Sequence, residues 1–473
     1  MKKMVLKAAC ALSVAVLCAS ASYAQYPEDV LRYSWQGLGV GARGMGMGTA
    51  GMSFLDDYSA VYWNPAGIAQ SKMNEFSFGL GNLSYQNSAT YLGAQTSFSN
   101  NQTSLNHIGL LYAVPTTQGS FSVGIGYDRV SEFTTGLSFD AFNPSGSIIQ
   151  SWAPDGQAYP PELTRAEVLN LARVDTVNGV FVSPIDDSVN QKGRALEGGG
   201  LNRFSLSGAA EVAQNFYVGM SLNFLSGSYS YSNRFTETDL MSLYQNFPFD
   251  YSSLEVLDLV NADISGFNIN AGMIYRFARY ARFGLSVKTP SWITVRENFS
   301  SDATSWFDNG ESAYDPTGGV TEYDLATPYV FSAGLSGGTP DFTLAGTVEY
   351  TDFTQMEFRN ATNELLGLNT DIKEIFRPTV NIRLGGEMRI PRSDFFVRAG
   401  FILLPSPYEG DLSSFDQKYY TGGVGFMVDN AVGVDLSYAR GSWDTYRRIY
   451  AGAFTSVEKI TTHTLRGTVV YRF

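Results

Sequence analysis

From residue 75 to the C-terminus, apolar and polar residues alternate in stretches of about eleven, the period of a β-strand with two different faces. Phe121, Val123, Ile125 and Tyr127 share one face, with Ser122, Gly124, Gly126 and Asp128 on the other. Phe267, Ile269, Ala271, Met273, Tyr275 and Phe277 oppose Asn268, Asn270, Gly272 and Arg276. Val380, Ile382, Leu384, Met388 and Ile390 oppose Asn381, Arg383, Glu387 and Arg389. A soluble sandwich would bury the apolar face and wet the polar one. A transmembrane barrel inverts this, turning the apolar face to lipid and the polar face to a lumen. Beyond residue 24 no apolar run reaches about eighteen residues, which excludes a helical span. A chain that crosses a membrane without helices must close a barrel, because lipid satisfies no free backbone group.

The alternation places about fourteen strands near 75–85, 105–114, 120–130, 202–212, 216–230, 265–277, 281–296, 327–337, 341–354, 378–390, 394–404, 418–428, 431–442 and 461–473. The connections alternate in length. Short turns fall at Thr116–Ser120, Ala213–Asn215, Ala278–Ala281, Gly338–Pro340, Pro391–Ser393 and Asp429–Asn430, and long loops at 86–104, 131–201, 231–264, 297–326, 355–377, 405–417 and 443–460. Sorting by parity is the mark of a barrel with periplasmic turns on one side and extracellular loops on the other. Within the loops, "ELTRAEVLNLARV" after Pro160-Pro161, "DLMSLYQNF" and "SLEVLDLV" carry helical spacing.

Residues 1–24 have a basic start (Lys2, Lys3, Lys7), an apolar stretch from Ala8 to Ala21 and Ser22-Tyr23-Ala24 at the cleavage position, the layout of a secretory signal peptide. Both cysteines, Cys10 and Cys18, lie inside it, so the exported chain is expected to hold no disulfide or thiolate site. Loss of the three lysines moves the net charge from −13 to −16. That balance argues against a nucleic-acid partner. No cofactor or metal motif is present, and the only histidines, His107 and His463, both sit in alternating strand stretches without a nucleophile–base pattern. The expectation is a non-enzyme.

Between the signal and the first strand lies "GLGVGARGMGMGTAGMSFLDDYSAVYWNPAGIA", residues 37–69. Asp56 and Asp57 are placed to open a short helix through Trp63, and Pro65 to start a tight turn behind Asn64, with Gly67 supplying freedom to turn. This stretch, with Asn64-Pro65-Ala66-Gly67, resembles the amino-terminal plug of the FadL/TodX outer-membrane transporters. Further similarity lies in "FGLSVKTPSWITVRENF" (283–299), "ATPYVFSAGLSGGTPDFTLAGTVEYTDFTQMEF" (326–358) and "TVNIRLGGEMRIPRSDFFVRAGFILLPSPYEG" (379–410).

The resemblance implies an all-β chain: an antiparallel barrel of about fourteen strands (73–473) in the cell outer membrane, with an N-terminal helical plug (25–72) in its lumen. It further implies passive passage of a hydrophobic small molecule, a long-chain fatty acid or an aromatic hydrocarbon, with exit past the plug or sideways into lipid through an irregular strand. Pro290 and Gly318-Gly319 are candidate irregularities. Arg383, Glu387, Arg389, Arg398 and Asp435 face the lumen and either bind a ligand carboxylate or brace the barrel. The terminal Tyr471 and Phe473 resemble the signal read by the barrel-insertion machinery. Outer-membrane lipids and a monomeric state complete the expectation. The rival reading is a barrel that serves as an adaptor in protein secretion.

Overall fold

The structure, a computed structural model, describes residues 27–35, 37–152, 175–177, 180–182, 185, 187–245, 250–429, 431–450 and 453–473. The signal peptide and the 162–174 helix expected from sequence lie outside the described residues.

A closed antiparallel barrel of 14 strands accounts for the chain from Glu75 onward. The strands are β1 (Glu75–Tyr91), β2 (Ala94–Val114), β3 (Phe121–Glu132, resumed as Thr135–Asn143), β4 (Val189–Ala213), β5 (Phe216–Thr238), β6 (Tyr251–Ala278) and β7 (Ala281–Lys288, resumed as Trp292–Phe307). They continue as β8 (Ser312–Ala326, resumed as Val330–Gly338), β9 (Phe342–Asp352, resumed as Glu357–Arg359), β10 (Pro378–Arg389), β11 (Phe395–Leu404), β12 (Gln417–Val428), β13 (Val432–Arg448) and β14 (Thr455–Arg472). Each pairs with its neighbour in sequence, and β14 returns to β1 from Glu75↔Arg472 upward, so no edge is left at the level of the closing pair.

Lipid-facing positions match the alternation. Phe76, Phe78, Leu110, Tyr112, Phe121, Phe267, Leu335, Leu384, Leu436 and Val469 are all exposed on the outer wall. The short turns all lie at one end, where Asn74 and Phe473 exchange backbone hydrogen bonds of 3.2 and 3.0 Å.

Several expected loops are strands. β1 and β2 run to a tight turn at Leu92-Gly93, so 86–104 is the top of a hairpin. The segment 297–326 is a β7–β8 hairpin, with Trp306 paired to Ser312. "SLEVLDLV" belongs to β6, and the described part of "DLMSLYQNF" is turn and coil. The loop 355–377 instead carries a helix, Asn363–Ile375, capped by Thr362.

The reason is visible in β6. From Phe267 to Phe277 the odd positions are apolar and face lipid, but above Gly266 the even ones, Leu254, Val256, Val260, Ala262 and Ile264, are apolar and buried, while Asn261, Asp263 and Ser265 are exposed. The strand leaves the apolar band at Gly266 and continues upward as a soluble-type strand. Its apolar face then belongs to the interior, because water now lies outside. β5 switches likewise: Phe224 is exposed outward, whereas Leu225, Tyr229 and Phe235 are buried inward. A pattern spaced two residues apart but shifted in phase is easily mistaken for a helix.

Candidate functional site

Residues 37–70 fill the short-turn half of the lumen. Helix α2 (Ala42–Gly46), a 3-10 turn at Gly51–Ser53, helix α3 (Ala60–Trp63) and a second 3-10 turn at Pro65–Gln70 follow one another, and nearly every residue is buried. Short helical turns suit this place because each satisfies its own backbone groups.

The wall meets this segment with glycine. A Cβ added at Gly385 would lie 2.0 Å from the Met47 carbonyl oxygen, at Gly400 2.1 Å from the Gly48 nitrogen, and at Gly219 2.5 Å from the Ala66 nitrogen. On the opposite wall, Cβ atoms at Gly109 and Gly126 would fall 2.2 and 2.1 Å from Tyr58. The first three glycines let backbone pack on backbone and the last two make room for the Tyr58 ring, so the segment is held at a depth that no larger residue permits.

Asn64 joins the segment to two strands. Its Oδ1 accepts from Ala66 N at 3.2 Å, capping the turn that Pro65 opens. Its Nδ2 group donates toward the carbonyls of Met52 (3.0 Å), Met273 of β6 (3.1 Å) and Leu285 of β7 (3.2 Å). Only a carboxamide offers an acceptor and two donors in so small a volume. Trp63 ends α3 with the Arg383 guanidinium 5.1 Å from its ring and Gly39 against its face. Gly67 has no positive φ; a Cβ there would lie 2.4 Å from Leu55 O, so its role is close packing rather than freedom to turn. Asp57 accepts from Ser59 N at 2.9 Å and from its hydroxyl, although α3 itself begins at Ala60 with no side-chain cap.

Four of the five lumen charges expected from sequence converge here. Arg43 of α2 lies with Nε 3.1 Å from Glu387 Oε2, Nη2 3.0 Å from Oε1 and Nη1 3.1 Å from Asp56. Glu387 also accepts from Arg398 at 2.6 Å, and Arg398 reaches Asp435 at 2.6 Å. Arg383 donates to Thr49 Oγ1 (2.8 Å) and Glu349 (3.1 Å). Arg389 does not join them: it is exposed at the short-turn rim, 2.8 Å from Asp394, because β10 has already left the lumen there. Burial alone would raise the Asp56 carboxyl, but the guanidiniums of Arg43, Arg472 and Arg282 outweigh it and hold the group below the ordinary carboxylate range.

The wall is irregular beside Tyr58. Gly79 pairs with His107 and Leu80 with Leu105, which leaves Asn106 bulged out of register. Asn106 Oδ1 accepts from Gly41 N at 3.1 Å, and His107 sits 2.8 Å from Ser77 Oγ with its ring stacked on Tyr58 at 5.7 Å. At this height the β2–β3 ladder ends with His107↔Asp128. β2 continues to Ala94 paired with β1, whereas β3 shifts register between Arg129 and Ser131 and goes on with β4. Above the last rung the gap is bridged by side chains, including Ser104 Oγ to Glu132 at 2.5 Å and Asn87 Nδ2 to Gly136 O at 2.8 Å.

Pro290 lies in a second irregularity. β7 breaks at 289–291, β8 at 327–329 and β9 at 353–356, all at one height. Gly318 and Gly319 do not break their strand: they pair with Ser300 and Phe299 in unbroken register.

The long-loop half of the lumen is apolar. Leu201, Leu225, Val260, Ile264, Ile293, Val295, Tyr323, Leu325, Phe358 and Phe376 form one buried cluster, and helix α1 (Pro27–Ser34) occupies it with Val30 and Tyr33. Tyr33 meets Phe133 edge-on at 5.8 Å, Trp35 stacks on Phe353 at 6.0 Å, and Arg32 lies 4.0 Å over Tyr229. Beside α1 lies a cavity of ≈ 30 Å³, lined by Tyr33, Trp35, Val130, Ser131, Arg203, Lys288 and Pro328 among others. That holds about two waters and no larger ligand. Arg203 is bound by Asp128 at 2.5 Å, but among the described residues Lys288 has no ion-pair or hydrogen-bond partner. Sequence reasoning missed α1, Asn106 and Lys288. The phase shift at Gly266 was the one available signal for the apolar upper lumen.

A closed barrel whose lumen is filled by its own N-terminal segment defines the class, and solved structures share it. The chain is similar to the Pseudomonas putida toluene transporter TodX, at 11% identity over 92% of this chain and 99% of that one, with a TM-score of 0.56. A Pseudomonas aeruginosa FadL homologue gives 12% identity, 93% and 99% coverage and a TM-score of 0.56. The Ralstonia pickettii toluene transporter TbuX gives 14%, 92%, 98% and 0.51. The fold is thus of the FadL/TodX type. No family model and no curated protein matches the sequence.

Proposed function

We propose that the chain is an outer-membrane transporter that moves hydrophobic small molecules by diffusion, with residues 25–72 as plug and 73–473 as barrel. The observation that carries this reading is the apolar upper lumen occupied by α1, whose residual cavity touches Val130 and Ser131 where β3 leaves the β2 ladder. Similarity to toluene transporters and a FadL homologue supports the ligand class.

A ligand of ordinary size needs a pocket of roughly 300 Å³ or more. It must therefore displace α1, which exchanges one apolar partner for another. The lower plug, seated on glycine and tied by Asn64, Arg383 and the Arg43–Glu387 pair, stays in place. The ligand leaves sideways between β2 and β3 rather than down the barrel axis. Lys288, which makes no ion pair or hydrogen bond among the described residues and has only Glu349 as a nearby carboxylate, favours a carboxylate-bearing amphiphile over a neutral hydrocarbon, since a desolvated ammonium gains most from a direct anion contact. Tyr471 and Phe473, stacked at 5.5 Å and exposed at the closing strand, serve barrel insertion.

Mass spectrometry of small molecules that co-purify with the protein from its own outer membrane, beside an unrelated barrel, tests the reading. An enriched amphiphile that Lys288→Met reduces is the expected result. A stoichiometric protein partner with no enriched small molecule would favour the secretion adaptor instead.

A further inference from the structure

The outer wall formed by β12, β13, β14 and β1 carries a feature that transport does not use. Reading upward from the short turn, the outward rungs are apolar: Phe426 of β12 stands opposite Val434 of β13, and above them Val424 opposite Leu436. Tyr438 then stands opposite Leu465 of β14. On the next rung Arg440 lies between Tyr420 and His463, one rung higher Lys418 faces Ser442, and one higher still Lys459 faces Asp444.

These side chains point outward. Tyr420 is 65% exposed and Leu436 48%. Arg440 and Lys459 are exposed and Lys418 half-exposed. None of the three cations has an ion-pair partner among the described residues; Lys418 donates only to Ser413 O at 3.1 Å.

Several outward cations elsewhere on the wall have carboxylates beside them, although the exposed Arg194 of β4 has none opposite it in register. Arg296 of β7 stands between Asp263 and Glu322, Arg234 is 2.8 Å from Glu255, and Lys192 is 3.5 Å from Asp140. Three cations without an ion pair, with Asp444 the one carboxylate opposite any of them in register, lie close together here on a chain whose net charge is −13. They stand where the apolar band gives way to water, with Tyr420 and Tyr438 at the boundary.

We propose that this patch binds a phosphorylated glycolipid of the outer leaflet, an acylated disaccharide with a phosphate at each end, of the lipid A class. Acyl chains lie on Val424, Leu436 and Leu465. Arg440 and Lys418, diagonal neighbours about 7–8 Å apart at Cα, grip one phosphate. Lys459, four residues beyond His463 and so about 13 Å higher along its strand, takes the second. Arginine and lysine together suit a phosphate that needs both directed hydrogen bonds and charge. The proposal rests on reading the chain as an outer-membrane barrel, but not on what it transports.

Protein purified in detergent from its own membrane would be titrated with diphosphorylated lipid A, its monophosphorylated form and phosphatidylglycerol, and bound lipid counted by native mass spectrometry. The expected result is one tightly held lipid A. Binding should weaken at least tenfold in Lys418→Glu/Arg440→Glu, weaken less for the monophosphorylated lipid, and stay unchanged in Arg296→Glu. Unchanged binding in the double variant overturns the proposal, as does phosphatidylglycerol binding as tightly as lipid A. Heat-modified electrophoretic migration reports whether each variant forms a barrel, which separates a failed fold from a failed site. If charge reversal prevents insertion, Lys418→Gln/Arg440→Gln replaces it with the same expected direction. Uptake of the transported compound is measured separately, so loss of one reading leaves the other standing.

Discussion

The two halves of the lumen are filled by the same N-terminal segment in opposite ways. In the short-turn half, backbone packs on wall glycines, and a carboxamide and the guanidiniums of Arg43 and Arg383 fix it. In the long-loop half, α1 leans on the wall largely through apolar and aromatic side chains, helped by Arg32 at the margin, 3.7 Å from Glu197. The difference is one of replaceability. A side-chain contact in an apolar pocket can be exchanged for a ligand of similar surface at little cost, whereas a backbone seated against glycine has no substitute. On the proposed transport reading, the lower half is the seal and the upper half the gate.

The largest expected effect comes from attacking the seal. Gly400→Leu drives a side chain into the Gly48 backbone, so the plug is expected to be displaced at a cost of about 3 kcal/mol or more. Single-channel recording in planar bilayers should show a steady ion conductance absent from the native protein; a silent variant with a normal barrel would erase the distinction between the halves. Asn64→Ala leaves carbonyls of β6 and β7 and the Ala66 amide without their partner, costing about 2–3 kcal/mol. Amide hydrogen exchange should accelerate in 51–70 while the barrel strands stay protected.

Attacking the gate should do the reverse. Tyr33→Ala removes an aromatic that occupies the pocket, so a lipid ligand is expected to bind several-fold tighter as the competent state becomes more populated. Calorimetric titration measures it, and exchange in 51–70 should not move. The smallest effect concerns pH. Asp56 is held below its unfolded value of 3.8, so its contribution is fully present above that pH and is lost as pH falls through the lower folded value. The carboxyl is a third exposed, so solvent screening keeps the effect small. Protection factors in the plug, taken relative to the intrinsic exchange rate at each pH, should therefore show the Asp56 loss only below about pH 4; a fall near pH 6 would point to another group.

The barrel, its strand number and the parity of its connections were legible because the lipid-facing alternation is imposed locally, residue by residue. The Asn64-Pro65 turn was legible for the same reason: cap and proline act within three residues. Other features were not. The height of the strands was underestimated wherever the phase of alternation changed, as at Gly266. Arg389 and Arg398 share one lumen-facing parity, yet only Arg398 is at the level of Arg43, and depth along a strand depends on where the plug sits.

The sequence by itself determined that this chain must close a barrel, since no other arrangement satisfies its backbone in lipid while turning Phe, Leu and Tyr outward on alternate positions. The tertiary structure alone decided which glycines meet the plug, that Asn106 bulges inward to hold Gly41, and that Lys288 makes no ion pair or hydrogen bond among the described residues. Those are matters of contact between segments tens to hundreds of residues apart, and no local pattern encodes a distance across a lumen.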